Sequence, residues 1–414
     1  MNTRNVYIIG AGVSGLVAAI ELEKAGYYPV ILEAGDKIGG RIQTEEVEGF
    51  KLDQGFQVLL TAYPEAQHYL DFEALSLKIF QPGAVIFKPG DIFSVYDPLR
   101  KPLKMIPMVF SKVGTVLDKV RMYQLTKTLS VKRDEDIFSS TDMTTLEYLK
   151  KKGFSGKIIK NFFKPFFKGI FLEEELKTSS RMFEFIFKMF AIGNASIPEK
   201  GMQEIPRQLF SKLHNTKIQY NTHVDHIENT RIYLDSGDVI TADDIIVATS
   251  PETVFNQLDL GPPAYHAVTN LYFSTEQSFV AKPVISLVPD EQFLVNNFVF
   301  LTDVSKSYSA DGRALLSVSV IKDVSAVENL EKLVALELEA LSGIRSAYFR
   351  HLKTYHIPKA LPAVRDTKNW LPVQHTKVYD HVYLAGDHML NGSLNAAMTS
   401  GRKAAEALIG AYVV

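Results

Sequence analysis

Apolar and polar positions alternate in blocks that name their own elements. Residues 6–9 are a short apolar run, Val-Tyr-Ile-Ile, which breaks into Gly-Ala-Gly-Val-Ser-Gly at 10–15. Leu16 to Ala25 then reads as a helix, and Val30-Ile31-Leu32 as a second strand ending on Glu33. Strand, glycine turn, helix and strand in that order predict a βαβ unit. A third strand is expected at Asp244 to Ala248, and another at Ala267 to Phe273. Residues 382–405 read as a strand, a Gly386-Asp387 corner, and a helix whose first turn is rich in small residues.

The glycines give the first unit its chemistry. Gly10 permits a tight turn out of the strand, Gly12 lets the backbone approach a pyrophosphate, and Gly15 lets the helix pack closely on the sheet. The helix N-terminus then faces phosphates with unpaired N–H groups and a favourable dipole. Glu33, at the end of the second strand, is placed to bind ribose hydroxyls. Its charge opposes a 2′-phosphate, which argues against NADP. Gly39 and Gly40 followed by Arg41 supply a flexible backbone and a cation beside a diphosphate. The small-residue helix start after Gly386-Asp387 suits a ribityl phosphate and a flavin ring, with Asp387 accepting from a ribityl hydroxyl.

With those pieces in view, the chain resembles the flavin amine oxidase and phytoene desaturase superfamily over essentially its whole length. The matching segments are GAGVSG at 10–15, LEAGDKIGGR at 32–41, DQGFQVL at 53–59, NTHVDHI at 221–227, DDIIVATSP at 243–251 and LAGDHMLNGSLNAAMTSGRKAA at 384–405. The resemblance implies an α/β fold: a Rossmann-type FAD-binding domain joined to a second, α+β substrate-binding domain. The first would be discontinuous, from 1–80, 196–255 and 375–414, and the second would take 81–195 and 256–374. It implies tightly bound FAD, expected to be non-covalent because the chain has no cysteine to tether it. Gly10, Ala11, Gly12, Val13, Ser14, Gly15, Glu33, Ala34, Gly40 and Arg41 would hold the ADP half, and Val224 would meet the adenine through its backbone. Gly55, Phe56, Gly386, Asp387, Leu394 and Asn395 would lie near the ribityl chain and the isoalloxazine.

Composition narrows the setting. A chain of 414 residues with 46% hydrophobic content can bury a large core, and its length suggests two domains. The net charge of −2 gives no global attraction to nucleic acid. With no cysteine there is no disulfide, no thiolate metal site and no cysteinyl tether for the flavin. The first residues lead directly into the first strand, and no run of about 18 uncharged apolar residues occurs. A cytoplasmic chain is expected.

Charge is uneven inside that average. Residues 88–133 carry ten Lys/Arg against three Asp/Glu, and 150–171 hold seven lysines, six phenylalanines and no acid. One reading of 150–171 buries the phenylalanines in the substrate domain while the lysines snorkel into water. The other dips the aromatics into a lipid surface while the lysines meet anionic headgroups, a peripheral membrane contact. Pro165 is expected to interrupt a long helix there.

Flavin oxidation needs a C–H bond held over the ring, and the cofactor performs the difficult step. No triad or metal cluster stands out. Gln57 and His388 are the catalytic candidates, each with an equally good packing role. Amine oxidases of the superfamily carry an aromatic cage residue where this chain has Ser393, and a lysine near flavin N5 on a strand matching Ala267–Phe273, which has none. AVTNLYFSTEQ and KTYHIPKALPAV at 353–364 instead resemble the phytoene and ζ-carotene desaturase branch. Gly201 to Pro206 resembles a motif shared with protoporphyrinogen oxidases and is expected to begin a helix near the flavin. Trp370 is expected in the core. The resulting expectation is dehydrogenation of a C–C bond in an apolar, isoprenoid-like substrate, with reoxidation by oxygen or a quinone. The alternatives are an amine or protoporphyrinogen oxidase, a reduced-FAD-dependent isomerase, and a non-enzymatic lipid-binding chaperone of the GDP-dissociation-inhibitor type.

Overall fold

The computed structural model describes residues 4–96, 113–255, 264–364 and 366–412. Part of the basic run 88–133, residues 97–112, lies outside them. The N-terminal pattern forms β1 (Val6–Ile9), α1 (Val13–Lys24) and β2 (Val30–Leu32), with β2 parallel to β1. The helix starts three residues before Leu16, because Gly12 is still extended and the chain turns helical at once after it.

Among the described residues, β1 and β2 belong to a six-stranded sheet. Its order is 217–219, 30–32, 6–9, 244–247, 382–384 and 377–379. The first five strands run parallel, and Lys377–Tyr379 is antiparallel. Asp244–Val247 and Val382–Leu384 are buried at every position, as expected for strands covered on both faces. One face is covered by α1 and the helix Leu394–Gly410. A Cβ built on Gly401 would stand 2.2 Å from the Ser14 carbonyl oxygen, so these helices meet backbone to backbone. The other face packs Ile9, Leu32, Ile245 and Val247 against Val224, Ile227 and Ile232 of a three-stranded meander.

A seven-stranded sheet forms the second layer, ordered 350–362, 265–275, 314–320, 295–300, 285–287, 83–88 and 91–96. Only the pairing of 285–287 with 83–88 is parallel. The helix Leu330–Ser342 buries Val334, Leu338 and Leu341 with Phe298, Leu316 and Val318 from this sheet. Helices Val116–Val131 and Thr145–Lys151 begin with capping boxes at Thr115 and Thr144, and Ser180–Ile192 packs beside the first of them.

Of the two readings of residues 150–171, the structure carries the packed one. Phe154, Phe163, Phe167 and Phe171 are buried, and Phe162 and Phe166 pack against the same core. Pro165 does not break the segment. It stays helical from Gly156 to Phe171 through a π-turn at Ile159–Phe163, whose wider loop accommodates the missing N–H. Asn296 donates to the Pro165 carbonyl at 3.1 Å, satisfying a group at the distortion. The expectation for Trp370 fails: it is 70% exposed, in a proline-punctuated loop whose apolar neighbours Leu371 and Leu390 fill the core instead. Among the described residues no helix is long and apolar enough to cross a membrane.

Candidate functional site

A cleft of about 1120 Å³ opens at the carboxyl ends of β1, β2 and Asp244–Val247. Ligands of open parallel sheets bind at that edge. The cleft exceeds the ~300–1,000 Å³ usual for small-ligand pockets, leaving room for a dinucleotide and a second molecule. Most residues picked out by the sequence converge here: Gly10, Gly12, Val13, Ser14, Glu33, Ala34, Gly40 and Arg41 from the N-terminal unit, with Phe56, Gln57, Val224, Gly386, Asp387, His388 and Leu394.

Four do not line it. Ala11 is buried, and its N–H donates to Glu33 Oε2 at 2.7 Å. Gly15 lies beneath the turn, where a Cβ would stand 2.1 Å from the Gly10 carbonyl oxygen. Gly55 turns the chain behind Phe56. Asn395, expected near the flavin, is buried and accepts from the Glu65 N–H at 3.0 Å, tying two helices together.

The nucleotide end fits FAD. A Cβ on Gly12 would meet nothing within 4 Å, so the helix N-terminus faces open space. α1 has no side-chain cap and no acid in its first turn, leaving its N–H groups for an anion. Glu33 is held in place by the N–H groups of Ala11 and Gly35 at 2.7 and 2.8 Å.

At the other end Arg41 donates to Asp387 Oδ1 at 2.5 Å and to the Ala360 carbonyl at 3.2 Å. One Asp387 oxygen is therefore taken by a cation, which the sequence reading did not foresee. Burial alone would lower the Arg41 pKa, but the Asp387 carboxylate raises it above the ordinary value. Gly386 has φ +157° with its N–H on Ser400 Oγ, and a Cβ there would strike the His388 ring at 2.2 Å. His388 is thereby folded onto its own corner. Burial pushes its pKa below the ordinary value, against the pull of Asp387. Gln57 donates its amide to the Arg41 carbonyl at 3.0 Å, a loop-holding role.

The remaining wall is apolar: Phe56, Leu60, Tyr63, Ile170, Met182, Ile186 and Phe190. Its rim carries Asp142, Glu147 and Glu173, each engaged by hydroxyls of Ser179, Thr144 or Thr178. Ser393 caps the helix Leu394–Gly410 through the Ala396 N–H rather than standing as a cage wall. Lys359, Tyr265 and His266 also line the cleft, and Lys359 pairs with Glu252 at 3.2 Å. Sequence reasoning missed these three because they come from adjacent strands of the second sheet, whose register no motif announces. Among the described residues no cluster of His, Asp or Glu could hold a metal ion.

The profile of the flavin containing amine oxidoreductase family matches residues 13–409. A 15-cis-phytoene desaturase of an Oncidium hybrid cultivar is 24% identical over 467 positions, covering 98% of this chain and 78% of that protein. Protoporphyrinogen oxidase 2 of Arabidopsis thaliana is 26% identical over 166 positions, covering 40% of this chain and 32% of that protein. An oxidoreductase from Methanosarcina mazei superposes with a TM-score of 0.75 at 17% identity, covering 97% of this chain and 100% of the other. That last likeness speaks for the fold.

Proposed function

Since the chain belongs to the flavin containing amine oxidoreductase family, and is an FAD-dependent oxidoreductase, we propose that it dehydrogenates a C–C bond of an apolar, isoprenoid-like small molecule. The observation that carries this reading is the wall of Phe56, Ile170, Met182, Ile186 and Phe190, which lines the same cleft as the Arg41–Asp387 pair. Such a wall orients hydrocarbon and excludes water, and the rim carboxylates Asp142, Glu147 and Glu173 are already engaged by hydroxyls. The desaturase relative, aligned over nearly the whole chain, supports the same choice.

In this reading the N–H groups at the start of α1 and the Arg41 side chain hold the diphosphate, Glu33 binds the ribose, and the Val224 backbone meets the adenine. Gly386 and Asp387 take the ribityl chain. Bound FAD supplies the hydride acceptor. Phe56 and the apolar wall would hold the reacting carbons and exclude water, while Gln57 and His388 would keep the surrounding loops in place. Oxygen or a quinone would take up the two electrons and two protons removed from the substrate, leaving hydrogen peroxide or a quinol.

The test is anaerobic titration of the purified yellow protein with a polyene, an amine and a porphyrinogen, followed by flavin absorbance. Bleaching by the polyene alone is expected; bleaching by the amine alone would overturn the proposal.

A lipid surface as the source of that substrate belongs to the same proposal. Val116, Leu117 and Val120 are exposed on the helix Val116–Val131, and Lys119 on that helix lies close enough to Lys157 for the two charges to repel. Apolar side chains among lysines suit an anionic bilayer. Flotation with anionic vesicles at low salt, lost at high salt, is expected; no flotation at low salt would remove this part.

A further inference from the structure

We infer that a second chamber behind the cleft is a subsite for the far end of the substrate, selecting an apolar group that carries one hydrogen-bond acceptor. The inference rests on the apolar-substrate reading above and adds a length and a terminal chemistry to it.

The chamber holds about 190 Å³ and is lined by Phe80, Pro82, Met122, Ile158, Phe166 and Phe187, among others. Phe56, Val58, Ile170 and Phe190 line both chamber and cleft, so these four side chains form the partition between them. Phe56 stands edge-on to Phe80 at 6.1 Å, and Phe166 contacts Phe190 at 5.4 Å. Protein interiors are close-packed, and voids larger than a water are few. An apolar void of ~150 Å³ stays dry and accepts a benzene-sized guest. This one is larger, and it adjoins the space where a substrate would lie.

One group on its wall is unsatisfied. Gln81 Nε2 is buried and has no hydrogen-bond partner among the described residues, although the Gln81 backbone N–H donates to the Pro283 carbonyl. Buried amide donors without a partner are rare in native structures. Among the described residues, the other polar side chains on the wall are Lys119 and Thr126, and the Thr126 hydroxyl already donates to the Met122 carbonyl. A carbonyl, hydroxyl or ether oxygen at the end of a hydrocarbon would meet Gln81. A short ligand fills only the cleft, whereas a long one passes the Phe56–Phe190 partition and reaches the amide.

The experiment uses the FAD-loaded protein and measures equilibrium binding by the perturbation of flavin absorbance. The probes are methyl ketones of increasing chain length, n-alkanes of the same lengths, and the matching fatty acids. Ala195→Phe, which adds a ring at the chamber wall, is expected to weaken long ketones about tenfold while leaving short ones unchanged. Gln81→Leu keeps the volume, and should abolish the preference for ketone over alkane. Should Ala195→Phe lose its flavin, Gln81→Leu alone decides. Undiminished binding of long ketones to the variants would overturn the subsite while leaving the apolar-substrate reading in place. A preference for the acids that survives Gln81→Leu would also overturn it. If amines perturb the flavin and no ketone or alkane of any length does, the underlying reading falls as well.

Discussion

Tyr308 donates its phenol to the Asp53 carboxylate at 2.8 Å, across 255 residues of chain. Both side chains are buried, and Asp53 also accepts from Thr44 Oγ1 at 2.5 Å and the Met202 N–H at 3.0 Å. Tyr272, on the strand 265–275 of the seven-stranded sheet, donates to the Asp53 carbonyl at 2.9 Å. Gly55 and Phe56 lie two and three residues further on, so the loop that presents Phe56 to the cleft is pinned from the second sheet. Tyr308→Phe leaves a buried acceptor short of a donor and should cost about 1–3 kcal/mol of stability. Urea unfolding of the FAD-loaded protein measures this; an unchanged midpoint would show that the pin carries no load.

Gly12 separates folding from cofactor binding. Its φ of −71° suits any residue, and an added Cβ meets no protein atom within 4 Å. Gly12→Val should therefore leave the melting temperature of the flavin-free protein unchanged while abolishing flavin retention. A variant that keeps its yellow colour through gel filtration would refute the placement of the diphosphate.

Glu33→Arg reverses a charge that accepts two backbone N–H groups and faces the cleft. Charged acceptors contribute about 1.5–3 kcal/mol each, so FAD affinity should fall at least tenfold. Equilibrium dialysis of the flavin decides it, and equal occupancy in the variant would remove Glu33 from the ribose.

The His388 corner predicts a pH dependence. Burial holds its folded pKa below the ordinary value of 6.5, so the unfolded chain takes up a proton first as pH falls. The stability contributed by the neutral ring is complete above about 6.5, and is lost as pH drops from there towards the lowered value. Unfolding midpoints should fall as pH drops below about 6.5, and His388→Gln should flatten that slope. A slope identical in the variant would assign it to other groups.

Much of this site was legible from local pattern. The glycines of 10–15, Glu33 and the Gly386-Asp387 corner each carry a backbone requirement that shows in sequence, and the structure brings them to one edge of one sheet. Most of the misses share a cause: they depend on pairings between distant segments. Lys359 and His266 reach the cleft through strands whose register is set by tertiary packing, and Asp387 meets Arg41 across 346 residues. Asn395 looked like a cofactor contact because of its neighbours, but the start of another helix claims its side chain. Pro165 misled through a local rule that a π-turn evades, and Trp370 through its size alone.

The strand order of the parallel sheet also dictates when the protein can acquire its cofactor. β1 lies between 30–32 and 244–247, and 382–384 closes against 244–247 only after most of the chain has been synthesised. The helix that touches Ser14 through Gly401 arrives later still. A nascent chain therefore carries its glycine turn on an unfinished sheet, with apolar strand faces uncovered and nothing opposite α1. The flavin edge of the sheet is therefore complete only once residues 382–405 have joined it, so the glycine turn alone does not make the site.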